Sequence, residues 1–267
     1  NPQFCKVLGQ IAPSDPKAPP IKFQVNLPIE WNGRSLQYGG GGFNGVLITG
    51  LALPPAFPFD TTSPLARGFV TYGTDSGHET KPGEPPQLFA LNDEAFENFA
   101  HRSYKRVRDA AVALMIRAWL KVAANGNIHG LETARGWLED LEQREKLEIG
   151  VLASVELYSM FLGAARNCAS LNPEKVLQMS SSVFDTLRAS RHPFDCLHFS
   201  RLLQIGFLSL SKPEQQEERR DFALKLVDEC KEVGLVGSPL LQALAGSIAR
   251  LTTEEKKLMI DMLFPQW

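Results

Sequence analysis

Cysteine is scarce in this chain: Cys5, Cys168, Cys196 and Cys230 are the four among 267 residues. No two form a CxxC pair, which excludes the usual zinc-ribbon and thioredoxin-like patterns. Three of them fall in segments with helical periodicity and are expected as buried free thiols. Cys5 has the best claim to a disulfide if the chain is secreted. The five histidines, His78, His101, His129, His192 and His198, show no H-E-x-x-H spacing, and no glycine-rich loop is followed by Lys-Ser/Thr. Neither a metal nor any other cofactor is therefore expected. No apolar run reaches bilayer length. Net charge is only −2, from 28 basic and 30 acidic residues, so bulk charge favours neither nucleic acid nor a membrane surface. The first residue is Asn1 and not Met, which reads as a removed leader or a fragment.

What is present divides unevenly. Residues 1–120 hold 13 of the 18 prolines and 12 of the 21 glycines. The first part reads as strands and turns ending in one long helix, the second as helix after helix. The break is placed at residues 122–127, where Asn125-Gly126 interrupts the pattern. The expected organisation is an α/β segment over 1–121 and an all-α domain over 128–267. Residues 21–27 alternate apolar and polar side chains and predict a half-buried strand. Residues 34–38 and 68–74 predict two more. Asn92 is an expected N-cap for one amphipathic helix carrying Phe96, Phe99, Ser103, Val107, Ala110, Leu114 and Ala118 on one stripe. Further helices are expected near 131–147, 152–168, 173–190, 196–210, 213–233, 238–250 and 253–263, started by Asn172-Pro173, Lys212-Pro213 and Ser238-Pro239. A soft echo links residues 137–141, 184–187 and 226–229 at spacings within the range of helical-repeat units, although an irregular bundle would give the same pattern.

The most informative stretch runs from Trp31 to Gly45 and contains Gly39, Gly40, Gly41 and Gly42 in succession. Glycines permit positive φ and close approach to the main chain. After a short strand, such a loop can offer N–H groups to a developing oxyanion, as in esterases. The bland alternative is a tight turn. Asp75 and His78 follow the 68–74 strand and are candidates for lining a pocket, since α/β sheets place ligands beyond strand ends. Their bland reading is an Asx-type turn at Asp75 and a surface-satisfied histidine.

The opening Phe4–Val7, the strand 21–28, Trp31-Asn32-Gly33-Arg34, the loop 39–45, the segment 65–78 and the helix pieces 99–104 and 107–111 together resemble the tannase and feruloyl esterase family, over about residues 4–118. The resemblance implies an α/β-hydrolase fold, hydrolysis of hydroxycinnamate or gallate esters, and a secreted or periplasmic location. It makes Gly39–Gly42 an oxyanion loop, and an aromatic ester the small-molecule partner. The family then continues into a Gly-x-Ser-x-Gly-Gly elbow bearing the nucleophile, and this sequence contains no Gly-x-Ser-x-Gly. The family's lid and its distal Asp and His-Cys segments are likewise missing. The chain is therefore expected to be an incomplete α/β hydrolase, with no catalytic residue identified.

Residues 128–250 faintly resemble pentatricopeptide-type helical repeats, best over 221–236, which would imply a protein or RNA partner. Against RNA stands the charge of 121–267, 17 basic to 20 acidic residues. The composite is expected to be a hydrolase remnant fused to a helical module, or a join between two coding sequences. Substitute nucleophiles are poorly supported by spacing. Cys168 and Ser170 lie at a helix end, and Cys196 and His198 point to different helix faces. Asp195 with His198 reads as an N-terminal cap, and Ser180-Ser181-Ser182 as structural.

Overall fold

A computed structural model describes residues 2–53, 58, 60–146, 154–190, 192–247 and 252–263. The chain divides into two compact units: Asn1–Met115 with Arg144–Val151, and Ile116–Gln143 with Leu152–Trp267.

The first unit is built on a four-stranded sheet, in the order β1-β2-β4-β3. Strand β2 (Ile21–Pro28) lies between β1 (Phe4–Ile11) and β4 (Val70–Thr74), antiparallel to both. The expected half-exposure of β2 is not observed. Its polar positions Gln24 and Asn26 are buried along with Phe23 and Val25. They are satisfied from within: Gln24 Nε2 donates to Asn26 Oδ1 at 2.7 Å, and Asn26 Nδ2 donates to Thr49 O and Thr71 Oγ1 at 2.8 and 3.0 Å. Alternation marks polarity, and here a hydrogen-bonded network lets the polar face go inside. The short β3 (Ser35–Gln37) pairs parallel to β4, so the chain must cross over through residues 38–69. The glycine loop is the first part of that crossover.

Asn92 caps the following helix as expected, its Oδ1 accepting from Ala95 N at 2.9 Å. The helix is not continuous. Helix α1 (Asp93–Glu97) passes into a π-turn (Asn98–Arg102) and then α2 (Ser103–Ala124). A π-turn adds a residue to the local repeat and rotates the helical turns beyond it. The buried stripe of α2 accordingly runs through Ser103, Val107, Ala111, Met115 and Ile116, while Phe96 is half exposed and Leu114 only partly covered.

The second unit contains α3 (Ile128–Lys146), α4 (Val155–Cys168), α5 (Pro173–Ala189), α6 (Cys196–Ser209), α7 (Gln216–Glu232), α8 (Ser238–Ser247) and α9 (Thr253–Leu263). Helix α6 is its centre, packed by α4, α5, α7 and α8. Phe199, Leu203 and Ile205 are fully buried along it, and Phe199 meets Phe184 of α5 edge-on with ring centroids 5.1 Å apart. Gly206 lets Phe222 of α7 close in: a Cβ there would lie 2.2 Å from the Phe222 ring. The echoed segments fall on α3, α5 and α7, and their burial is that of ordinary core stripes, with Leu138, Phe184 and Leu226 inside. The N-terminal α/β part and the helical C-terminal part are as expected.

Candidate functional site

The loop after β3 is tied down at three points. Tyr104 OH accepts from Gly40 N at 3.1 Å, Gly41 O accepts from Asn44 N at 2.9 Å, and Gly45 O accepts from Thr80 N at 2.9 Å. Asn44 is the main tether. Its Nδ2 donates to Ser76 Oγ at 2.5 Å and to Thr74 O at 3.3 Å, which fixes the loop to the end of β4. That tether explains Gly40, where a Cβ would fall 2.1 Å from Asn44 Oδ1. Gly42 is in the left-handed region, with φ +57°. Gly39 and Gly41 have neither constraint: a Cβ at either would meet nothing within 4 Å, and all four glycines are at least partly exposed. Only half of the quartet is thus explained by local packing and conformation.

At the end of β4, Asp75 forms the expected Asx-type turn. Its Oδ1 accepts from Gly77 N at 2.8 Å and from Lys22 N at 3.0 Å. Burial pushes the Asp75 carboxyl upward from its ordinary pKa, and these two N–H groups pull against it. Ser76 stands at φ +67° and Asn44 at φ +56°, both in the left-handed region, so the tether joins two backbone positions of raised energy.

His78 corrects the bland expectation of a surface histidine: it is 2% exposed. Phe89 stacks on its ring at 3.8 Å, Phe99 meets it edge-on at 5.6 Å, and Phe43 contacts both Phe89 and Phe99. Burial lowers its pKa, opposed by the main chain at Phe43 and Ser76, yet neither ring nitrogen makes a well-aligned hydrogen bond. Nearby, Asn98 lies against Gly77 with both side-chain polar atoms unmatched. Ser103 Oγ and Tyr38 OH, in the same unit, are also buried and unmatched. Buried polar groups without partners are uncommon in folded proteins, and three of these belong to the loop-to-π-turn region.

A serine elbow is not formed among the described residues of this unit. Ser76 has the strained backbone, but its hydroxyl is buried against Asn44, and a loop follows it instead of a helix. The thiols offer no substitute. Cys168 Sγ donates to Ala123 O at 3.3 Å, and burial raises its pKa. Cys230, buried beside Cys196, is pushed up to about 12. All four cysteines are free, so no disulfide forms. Of the three serines on α5, Ser180 is buried and Ser182 Oγ accepts from Arg135, in keeping with structural roles. Among the described residues no group of three His, Cys, Asp or Glu could hold a metal ion, and no helix is long and apolar enough to cross a membrane.

The helical unit contains a constellation that sequence spacing did not show. Asp195 is the N-cap of α6, as expected, its Oδ1 accepting from Leu197 N and His198 N. His198 Nδ1 accepts from Asp195 N at 3.2 Å, which closes a capping box and leaves Oδ1 2.7 Å from the ring, and His198 Nε2 lies 2.8 Å from Ser159 Oγ on α4. Ser159 and His198 are 39 residues apart and meet only because α4 packs on α6.

Comparison with known proteins adds a family. The model of the tannase and feruloyl esterase family matches residues 5–130, past the Asn125-Gly126 break. An uncharacterized esterase of Agrobacterium fabrum is 41% identical over 156 residues, covering 53% of this chain and 27% of that protein. A mono(2-hydroxyethyl) terephthalate hydrolase of Piscinibacter sakaiensis is 33% identical over 130 residues, 46% of this chain and 21% of its own. A probable feruloyl esterase B-1 of Aspergillus fumigatus is 33% identical over 101 residues, 38% of this chain and 16% of its own. The chain therefore spans about a quarter or less of the length of these relatives. The match to the tannase and feruloyl esterase family thus takes in the glycine loop, the β4 turn and the helix beyond them, within residues 5–130.

Proposed function

We propose that the N-terminal unit binds an aromatic carboxylic ester, or the acid derived from it, at the glycine loop and the adjoining rings, and does not itself cleave it. The observation that carries this reading is the tether: Asn44 holds the exposed quartet Gly39–Gly42 against the Asp75–His78 turn, beside Phe43, Phe89 and Phe99. Main-chain N–H groups of such a loop suit a carboxylate or ester oxygen, and the rings suit an aryl group. Hydrolysis needs a nucleophile with a base in hydrogen-bond reach, and the unit pairs no serine or cysteine with His78 in this way. The names of the relatives support the ester class, and the family supports an extracellular or periplasmic setting.

Calorimetric titration with ferulate and gallate tests the binding. Binding by the intact chain, lost in Phe43→Ala and Phe89→Ala variants that still fold, is the expected result. Turnover of methyl ferulate should stay at the buffer rate. Turnover above that rate, with an adduct mapped to a residue of the N-terminal unit, would reveal a nucleophile there and overturn the incompleteness. The alternative is a helical interaction module with a hydrolase remnant attached. It is better supported for a protein partner than for RNA, because residues 121–267 carry more acidic than basic charge.

A further inference from the structure

Two of the free thiols meet where α6 begins and α7 ends. The two helices run antiparallel. Arg219 Nη1 donates to Leu210 O at 3.0 Å at one end, and one turn further Gly206 makes room for the Phe222 ring. Turn by turn, that register passes the buried Leu203, Leu226 and Val227 and closes on Cys196 and Cys230. The chain reversal after α7 is fixed. Gly234, at φ +69°, donates to Lys231 O at 2.9 Å, and Leu235 N donates to Cys230 O at 2.9 Å, so a Schellman turn ends the helix at Cys230. The chain then passes against the first turn of α6. Ser200 Oγ donates to Pro239 O at 2.9 Å, and a Cβ on Gly237 would lie 3.5 Å from Cys196 Sγ. Cys230 is fully buried, whereas Cys196 is half-buried. The thiols interact directly: Cys230 is pushed up to about 12 first by burial and then by the Cys196 sulfur beside it. Cys230 therefore stays protonated at neutral pH, and Cys196, which solvent reaches, is the sulfur that an oxidant meets first.

We propose that Cys196 and Cys230 form a redox modification site for hydroperoxides, whose product is a disulfide tying the start of α6 to the end of α7. The Cys196 sulfur attacks the terminal oxygen of the hydroperoxide and the O–O bond breaks. The departing alkoxide takes a proton and leaves as the alcohol, and Cys196 becomes a sulfenic acid. The Cys230 sulfur then attacks the Cys196 sulfur. The S–O bond breaks, and hydroxide leaves as water with the Cys230 proton. Two thiols and one hydroperoxide thus give one disulfide, one alcohol and one water. Once Cys196 is a sulfenic acid it no longer opposes charge on Cys230, and only burial still does. The disulfide closes the chain between α6 and α7 into a loop and restricts the unfolded chain. Neither the glycine loop nor an ester takes part.

Treatment of the reduced full chain with tert-butyl hydroperoxide tests this, read by intact mass and by non-reducing peptide mapping. The expected result is the loss of two hydrogens and a linked pair of peptides joining Cys196 to Cys230. Cys168, whose buried Sγ donates to Ala123 O, should stay a thiol. The linked chain should melt several degrees above the reduced one, and dithiothreitol should reverse the gain. Cys230→Ala should leave Cys196 as a sulfenic acid that dimedone traps. Cys196→Ala should leave Cys230 unoxidised, since the oxidant reaches it only through its neighbour. Cys230 found as a thiol after Cys196 has fully reacted, Cys196 joined instead to Cys5 of a second molecule, or Cys230 oxidised at its original rate in Cys196→Ala would each overturn the proposal. The unaltered chain carries the deciding measurement, so a variant that misfolds does not blur it.

Discussion

The two units treat buried polar groups differently. In the helical unit several of them hold helices together. Arg135 pairs with Glu142 at 3.1 Å, Ser200 Oγ donates to Pro239 O at 2.9 Å, and Arg219 donates to Leu210 O at 3.0 Å. Glu142 Oε1, Gln215 Oε1 and the hydroxyls of Ser180 and Ser209 are exceptions, spread over several helices. In the N-terminal unit, polar groups close a network under β2, but those beyond the end of β4 stay unmatched: His78 and Asn98, with Ser103 on the helix that follows. Both units therefore carry unmatched buried polar atoms, and the difference is where they lie: in the first unit they gather beyond one strand end, and such a local cost suits a place where a protein meets a ligand.

Four changes would break or sharpen that contrast. The largest effect is expected from Phe161→Ala in α4, a fully buried ring whose loss should cost about 3–5 kcal/mol. Hydrogen exchange should show the helical unit opening first while β2 and β4 keep their protection. Uniform loss across both units would mean that they unfold as one. Next, Asn98→Leu replaces two unmatched polar atoms with an apolar side chain of similar size. It should raise thermal stability by about 1–3 kcal/mol and weaken ferulate binding. A destabilised variant would show that Asn98 is satisfied in solution.

The third change is acidification. His78 has its folded pKa depressed below 6.5, so the neutral ring contributes stability that is present above 6.5 and is lost as pH falls through the lower folded value. Asp75 has the opposite sense. Its raised folded pKa contributes below about 3.8 and fades as pH climbs through that raised value. Denaturant midpoints of the N-terminal unit should therefore drop on moving below pH 6.5, and His78→Phe should flatten that drop. A slope unchanged by His78→Phe would remove the histidine from the account. The smallest effect is Asn92→Ala, the loss of one helix cap, at about 1 kcal/mol by chemical denaturation.

Much of the fold was legible because helix starts and strand pairs leave local marks. Asn92, Asn172-Pro173, Asp195 and Ser238 are written where their helices begin. Strand β1 was not anticipated. It is half exposed, and its register with β2, Gly9 opposite Phe23, is settled by a partner ten or more residues away. The π-turn was illegible for a related reason. One residue of added repeat leaves the spacing of apolar positions almost unchanged: the stripe seen in sequence coincides with the buried one at Ser103 and Val107 and departs by one position at Ala111 and Met115. At the candidate site the Asp75 turn could be read from Asp-Ser-Gly, but the burial of His78 could not, because it depends on Phe89 and Phe99 arriving from a later segment. Ser159 was the least legible of all. A serine inside an apolar helix carries no mark until the histidine of another helix is set against it.

The seat of Asn44 has an outcome reaching beyond this molecule. Its carboxamide fills the volume that any larger residue at position 40 would claim, so selection for folding alone would defend that glycine whether or not an ester is cleaved. A surviving glycine-rich motif in a related gene is consequently a record of architecture, and only the company it keeps can testify to chemistry.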